Sequence, residues 1–276
     1  MGNFNLDTDE QKEWYSISTN RSSEHLGDCL QLMPLIANES IDMILCDLPY
    51  GTTQNKWDSI IPLDKLWEQY ERIIKPNGAI ILTSAEPFTS ALVMSNPKLF
   101  RYDIIWEKQK GSDPLNANRK PLRSHENILV FYKKQPAYNP QFEQGNPYKG
   151  RRDKSVKSSN FNEARVLSGN GSPDGKRYPK TVIKISGEGM NSNNLHPTQK
   201  PQKLMEYLIK QYSNENEIIL DNTAGVFTTA IACLETNRKY IVMEKEQEYY
   251  NKGIKRILQW QREQKNQIVL KKQTRL

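Results

Sequence analysis

Two stretches bring chemically able side chains together at the ends of apolar runs. The first is IDMILCDLPYGTT, where Asp47, Leu48, Pro49 and Tyr50 follow a run that reads as a buried strand. An acid, a proline and an aromatic thus arrive together at one strand tip. The second is EIILDNTAGVFTTAIAC followed by KYIVMEK, which reads as strand, Asp221, a glycine turn at Gly225, helix, strand and Glu244. That is the general layout of a nucleotide-type cofactor site. A small residue in the turn lets a ligand approach the backbone, and the later acid accepts hydrogen bonds from ribose hydroxyls. The G-x-G-x-x-G of a dinucleotide site is absent. Any one of the three acids could instead cap a neighbouring helix.

The surrounding sequence alternates strands with helices. PLDKLWEQYERIIKPNG predicts an amphipathic helix opened by Pro62 and followed by Gly78. AIILTS predicts a buried strand, and FTSALVMSN a short helix stopped at Asn96-Pro97. RYDIIWEK and ENILVFYKK predict two more strands. Further on, KLMEYLIKQYS predicts a helix opened by Pro201, and QEYYNKGIKRILQWQREQ a long basic one. The pattern is a doubly wound α/β sheet, in which ligands bind beyond the carboxyl ends of the strands. Asp47, Asp221 and Glu244 all fall at such ends.

From 135 to 195 periodicity fades, and Gly, Ser, Asn, Pro and Lys dominate. We expect an inserted, loop-rich lobe there. The implied organisation is a first half over 20–134, the lobe over 135–195, a second half over 196–262 and a basic tail over 263–276.

The net charge is +7, unevenly spread. The segment 135–195 holds ten Lys or Arg against five acids, and 252–276 holds eight against one. Concentrated positive charge suits a phosphate-facing surface, although a solvated loop and a frayed helix would give the same composition. The three cysteines, Cys29, Cys46 and Cys233, are far apart and read as buried free thiols of a reducing cytoplasm. Their spacing suits no zinc site. The polar N-terminus reads as neither signal nor transit peptide, and no apolar run is long enough to span a membrane.

DLPY, SAEPF, LRSHENILVF, HPTQKP and DNTAG occur in that order. The set resembles the amino-methylating DNA methyltransferases that use S-adenosylmethionine, of bacterial or phage type. The motif order is similar to that of the β group, in which the cofactor half follows the catalytic half. The resemblance runs from about Glu24 to Ile257 and implies a Rossmann-like methyltransferase sheet with an inserted target-recognition lobe. It implies an adenine-N6 product, the kind made in restriction-modification systems, with double-stranded DNA as partner and pairing into a homodimer in many relatives.

Residue by residue, the resemblance assigns Asp47 and the Leu48 carbonyl as acceptors for the two N–H groups of the target amine. Pro49 would fix the backbone between them, and Tyr50 would offer a face to a flipped base. Asp221 would bind near the amino end of the cofactor's methionine. Thr228 and Thr229 would hold its carboxylate at a helix start, and Glu244 would take the ribose. His196, Thr198 and Lys200 would line the methionine end, and Asp28 would lie near the cofactor adenine. In the lobe, Arg151, Arg152, Lys154, Lys157, Arg165, Lys176 and Arg177 would meet DNA. No metal is implied.

One departure stands out. Where the family pattern has a second glycine after Gly225, this chain has Phe227, and Val242 adds bulk in the next strand. A phenyl ring at that point could occupy the methionine pocket or force the loop away, or the loop could tolerate it and leave an active adenine methyltransferase. The competing expectation is therefore a methyltransferase fold that has lost its cofactor and acts by binding DNA or a partner. A smaller alternative is an RNA or small-molecule methyltransferase.

Overall fold

The computed structural model describes residues 17–51, 58–150, 171–186 and 199–273, with side chains described as far as 267. It divides into two compact units, one formed by 1–139 with 181–276 and the other by Pro140–Lys180.

The larger unit is built on an eight-stranded sheet of order β1-β12-β11-β2-β3-β5-β4-β10. Its strands are β1 (Ser23–Leu26), β2 (Ile41–Asp47), β3 (Ile74–Ser84), β4 (Phe100–Ser112), β5 (Arg123–Phe131), β10 (Val182–Lys184), β11 (Ile218–Asp221) and β12 (Lys239–Glu244). All pairs are parallel except those made by β5, which runs antiparallel to β3 and β4. The order reverses between β11 and β2, where chain segments far apart in sequence meet. Such a switch point opens a crevice at the strand ends.

The continuous apolar runs of the central strands follow from burial on both faces. Along β2, Ile44 and Cys46 face one cluster while Met43 and Leu45 face the other. Helices α1 (Cys29–Leu32), α2 (Leu63–Ile73) and α3 (Phe88–Ser95) cover the first face. Helices α4 (Gln202–Tyr212), α5 (Thr228–Glu235) and α6 (Gln247–Gln273) cover the second. Each fully buried Leu or Ile contributes roughly 1.5–3 kcal/mol over exposure. Among the described residues no helix is long and apolar enough to cross a membrane.

Three features differ from expectation. Helix α2 ends at Ile73, and the chain is already extended at Ile74. Pro76 lacks an N–H and disfavours helical geometry in the residue before it. A Cβ on Gly78 would lie 2.8 Å from the Asp42 carbonyl, so the β2–β3 approach needs glycine there. Second, α6 continues to Gln273, through most of the stretch read as a tail. Third, the separate unit is narrower than 135–195, because Val182–Lys184 leaves the loop region to pair with β4. Within that unit, β6 (Glu143–Gln144) pairs with β9 (Lys176–Arg177), and β7 (Tyr148–Lys149) pairs with β8 (Gly171–Ser172).

Candidate active site

Asp47 ends β2 and lies in register with Thr83 of β3. Its carboxylate is held from three sides. Tyr50 donates its hydroxyl to Oδ1 at 2.9 Å, Thr83 donates to the same oxygen, and the Lys200 ammonium lies 2.7 Å from Oδ1 and from Oδ2. Burial and the Asp47 charge push the Tyr50 phenol well above its ordinary pKa, so it remains a donor. The Tyr50 ring stacks on Phe88 of the SAEPF stretch, with centroids 5.4 Å apart. Next to it the Asp58 carboxylate accepts from the Gly51 N–H at 2.9 Å. The Thr223 hydroxyl donates to the Asp47 backbone carbonyl at 3.1 Å and so links the two half-sites.

Lys200 continues the charge network. Its ammonium is 3.3 Å from Glu126, whose other oxygen pairs with Lys108. Two carboxylates and two ammonium groups therefore balance in one partly buried cluster, with Lys200 buried at its centre. Burial opposes the Lys200 charge, but Asp47 and Glu126 outweigh it and its pKa lies well above that of ordinary lysine. Burial also works against the Glu126 charge, and here Lys200 and Lys108 win, leaving that carboxyl below its ordinary pKa.

The second half-site is built on β11, the following turn and β12. Asp221 is buried and accepts from the Thr223 N–H at 3.1 Å and from the Thr229 hydroxyl. Desolvation raises its pKa to about 7, partly offset by the Thr229 hydrogen bond. Glu244 accepts the Gly225 N–H at 2.8 Å and the Glu246 N–H at 2.7 Å, which fixes the turn between β11 and α5. Gly225 has φ +52°, and a Cβ added there would meet no atom within 4 Å. The chain thus passes open space at the residue where a cofactor would need close approach. Asn222 accepts at Oδ1 from Tyr70 and Cys46, while its buried Nδ2 has no hydrogen-bond partner.

Of the outcomes open for Phe227, the structure shows the turn tolerating it. The residue keeps the left-handed backbone of a glycine, φ 64° and ψ 36°, yet its ring is fully buried beneath α6 and does not line the cavity. It meets Tyr250 edge-on at 5.5 Å, in a space that Gly253 leaves free. Left-handed geometry costs a non-glycine residue roughly 1–2 kcal/mol, and burying a phenyl group offsets that. Val242 also points into this core. Arg256 of α6 donates to the Val226 carbonyl at 2.6 Å and to the Thr228 hydroxyl at 3.1 Å, bracing the same turn from behind.

One cavity of about 660 Å³ joins the halves. Asp47, Leu48, Pro49, Tyr50, Lys200, Asp28, Asp221, Gly225, Thr228, Thr229 and Glu244 all line it. Lys200, expected at a methionine end, has its ammonium on Asp47. The Thr229 hydroxyl is given to Asp221, and the Asp28 carboxylate caps α1 at the Leu30 N–H. His196, Thr198, Arg151, Arg152, Lys154, Lys157 and Arg165 lie outside the described residues. Of the basic lobe residues, Lys176 pairs with Asp174, and Arg177 lies over the Tyr148 ring at 4.4 Å. Sequence reasoning gave no role to Phe88, Thr83, Glu126, Asn222 or Asp58. The first four lie in or beside the quoted motifs SAEPF, LRSHENILVF and DNTAG, which were the available signal.

Acids near a glycine turn, an orphaned amide donor and open space at Gly225 fit a cationic nucleoside cofactor such as S-adenosylmethionine. Comparison with known proteins agrees. Residues 41–255 match the DNA methylase family N6_N4_Mtase. The DNA adenine methyltransferase YhdJ of Escherichia coli (strain K12) is 26% identical over 84% of this chain and 81% of its own. The type II methyltransferase M1.MboII of Moraxella bovis is 23% identical over 83% of this chain and 94% of its own. Among solved structures, the M1.HpyAVI–SAM complex superposes with TM-score 0.59 at 22% identity, covering 85% of this chain and 98% of that one. The cytosine-N4-specific PvuII DNA methyltransferase gives TM-score 0.62 at 18% identity, covering 87% and 86%. With a family match across most of its length and the two half-sites opening on one cavity, this chain belongs to the DNA methylase family of amino-methyltransferases.

Proposed function

We propose that the chain transfers a methyl group from S-adenosylmethionine to the N6 amino group of adenine at a specific site in double-stranded DNA. One observation carries the reading: the Asp47–Tyr50 turn and the Asp221–Gly225–Glu244 half-site line the same cavity. The acceptor for an exocyclic amine and the cradle for a nucleoside cofactor thus share one volume. When bound, the cofactor supplies an electrophilic methyl carbon.

The amine of adenine is a poor nucleophile because its lone pair is delocalised into the ring. Asp47 accepts one N–H and the Leu48 carbonyl the other, favouring a pyramidal nitrogen with its lone pair free. Tyr50, backed by Phe88, offers a face to the flipped base. The rate gain comes from positioning and electrostatics. Asp221 takes the ammonium of the cofactor, Glu244 its ribose, and the backbone at the start of α5 its carboxylate. Asp47 as the acid of the motif favours adenine, as does the relative named for adenine. Loss of cofactor binding is not favoured, because the Phe227 ring lies outside the cavity.

The basic lobe takes target recognition in this reading. Tyr178 and Phe142 are exposed there, close to Lys176 and Arg177 in sequence or space. Binding to duplex DNA then weakens steeply with salt, because phosphate contacts release counterions. A cytoplasmic location and pairing of two copies belong to the same reading, and sedimentation of the purified protein checks the second. The direct test supplies methyl-labelled cofactor and unmethylated bacterial DNA to the purified chain. Label recovered in adenine supports the proposal; label in cytosine, or none, contradicts it.

A further inference from the structure

Lys200 sits where a substrate base must arrive. Its ammonium bridges both oxygens of Asp47 at 2.7 Å, reaches Glu126 at 3.3 Å and lies 5.4 Å from the Tyr50 ring centroid. A lysine ammonium has three donors and no acceptor, and an ionised carboxylate has acceptors only. In the closed pair these groups satisfy each other. If Lys200 keeps Glu126 and one oxygen of Asp47, opening the other contact frees one acceptor and one N–H side by side.

That opened pair complements one edge of a base. Adenine carries an amino donor at N6 beside an acceptor at N1, and cytosine carries the same pattern at N4 and N3. Guanine and thymine reverse it, with a carbonyl beside a ring N–H. The matched family is named for N6 and N4 alike, and one structural neighbour is cytosine-N4-specific. The two bases share the ring nitrogen of the Watson–Crick edge, whereas N7 belongs to purines alone. A site built on the common features of the two targets would read N1 rather than N7.

We infer that Lys200 is a specificity-determining residue that donates to N1 of the target adenine while Asp47 accepts from its N6 amine, so that the pair reads the amidine edge of the base. The inference rests on the adenine methyltransferase reading above. Glu126 is the positioning residue: it retains the ammonium when one Asp47 contact is released. The closed pair also keeps the buried Lys200 ammonium satisfied before a base enters, since an unpaired buried charge would be costly.

The test compares methyl transfer to duplexes holding adenine, 1-deazaadenine or 7-deazaadenine at the target position. The parent chain is set against Lys200→Met and against Lys200→Met/Glu126→Gln, the second keeping the charges of the cluster balanced if the first fails to fold. The inference predicts that 1-deaza substitution lowers kcat/KM of the parent by about 10- to 100-fold, the scale of one directional base contact. The 7-deaza change should cost the parent far less. In the variants, adenine and 1-deazaadenine should react at rates equal within about twofold, because the partner of N1 is gone. Equal sensitivity to 1-deaza in parent and variants overturns the inference, as does a parent that responds only to 7-deaza. A parent that does not methylate plain adenine removes the underlying reading, and the inference with it; that outcome is distinct from active but insensitive enzyme.

Discussion

Gly253 of the C-terminal helix faces Phe227 so closely that a Cβ on the glycine would lie 2.3 Å from the phenyl ring. The turn between β11 and α5 therefore accepts a phenylalanine because the helix behind it omits a side chain. The cavity is left untouched, and the bulk is absorbed in the core.

Gly253→Ala is expected to destabilise the fold by about 1–3 kcal/mol, the usual range for overpacking. It should also weaken cofactor binding, because the displaced ring pushes on Val226 and Thr228. Adding Phe227→Gly to the same chain should restore affinity. Phe227→Gly alone should lower Tm while changing cofactor affinity only a few-fold. Calorimetry on the three variants checks this; a large gain in affinity from Phe227→Gly alone would show that the ring does obstruct the pocket.

Thr83→Val removes one donor to Asp47 without changing shape much. A hydrogen bond to a charged group contributes roughly 1.5–3 kcal/mol. If that bond aims the carboxylate at the amine, kcat should fall by about tenfold or more while the KM for cofactor stays unchanged. Steady-state kinetics with both substrates would reveal an unaltered kcat if the bond is merely structural.

Asp221 gives the site a pH dependence. Its pKa is raised from 3.8 to about 7, so the folded protein holds this proton over a range where the unfolded chain has lost it. This group therefore favours folding at low pH, and its contribution falls as pH rises from 3.8 to about 7. Cofactor binding should run the other way. An ammonium beside Asp221 prefers the ionised carboxylate, so affinity should rise with pH and level off above about 7. Asp221→Asn should flatten that rise. Binding titrations across this pH range in two buffers of different ionisation heat would detect the proton release; identical profiles for parent and variant would contradict the assignment.

Much of the fold was legible because its central strands carry the signature of burial on both faces, and because Asp47, Asp221 and Glu244 end such strands. The glycine turn and the two halves of the site followed from local pattern. What local pattern could not supply was which side chains meet across the sheet. Lys200 belongs to a stretch far from Asp47 in sequence, and their pairing is a product of topology. Glu126 reaches the site only because β5 runs antiparallel beside β3. The effect of Phe227 is not readable locally for the same reason: it depends on Gly253, a residue in another element. A lone glycine inside an otherwise regular helix was the available hint, since such a residue costs helix stability and often marks close packing. Pro76 ended α2 earlier than its amphipathic pattern suggested.

The central claim is that Asp47 presents an adenine amine to a cofactor held in the same cavity. The most direct measurement is the nucleoside content of DNA from cells that lack adenine methylation and express either the parent chain or Asp47→Ala. The account predicts N6-methyladenine in the first and a loss of at least about 10²-fold in the second, the scale of removing a group that stabilises the transition state. N6-methyladenine at equal levels in both, or in neither, would contradict it.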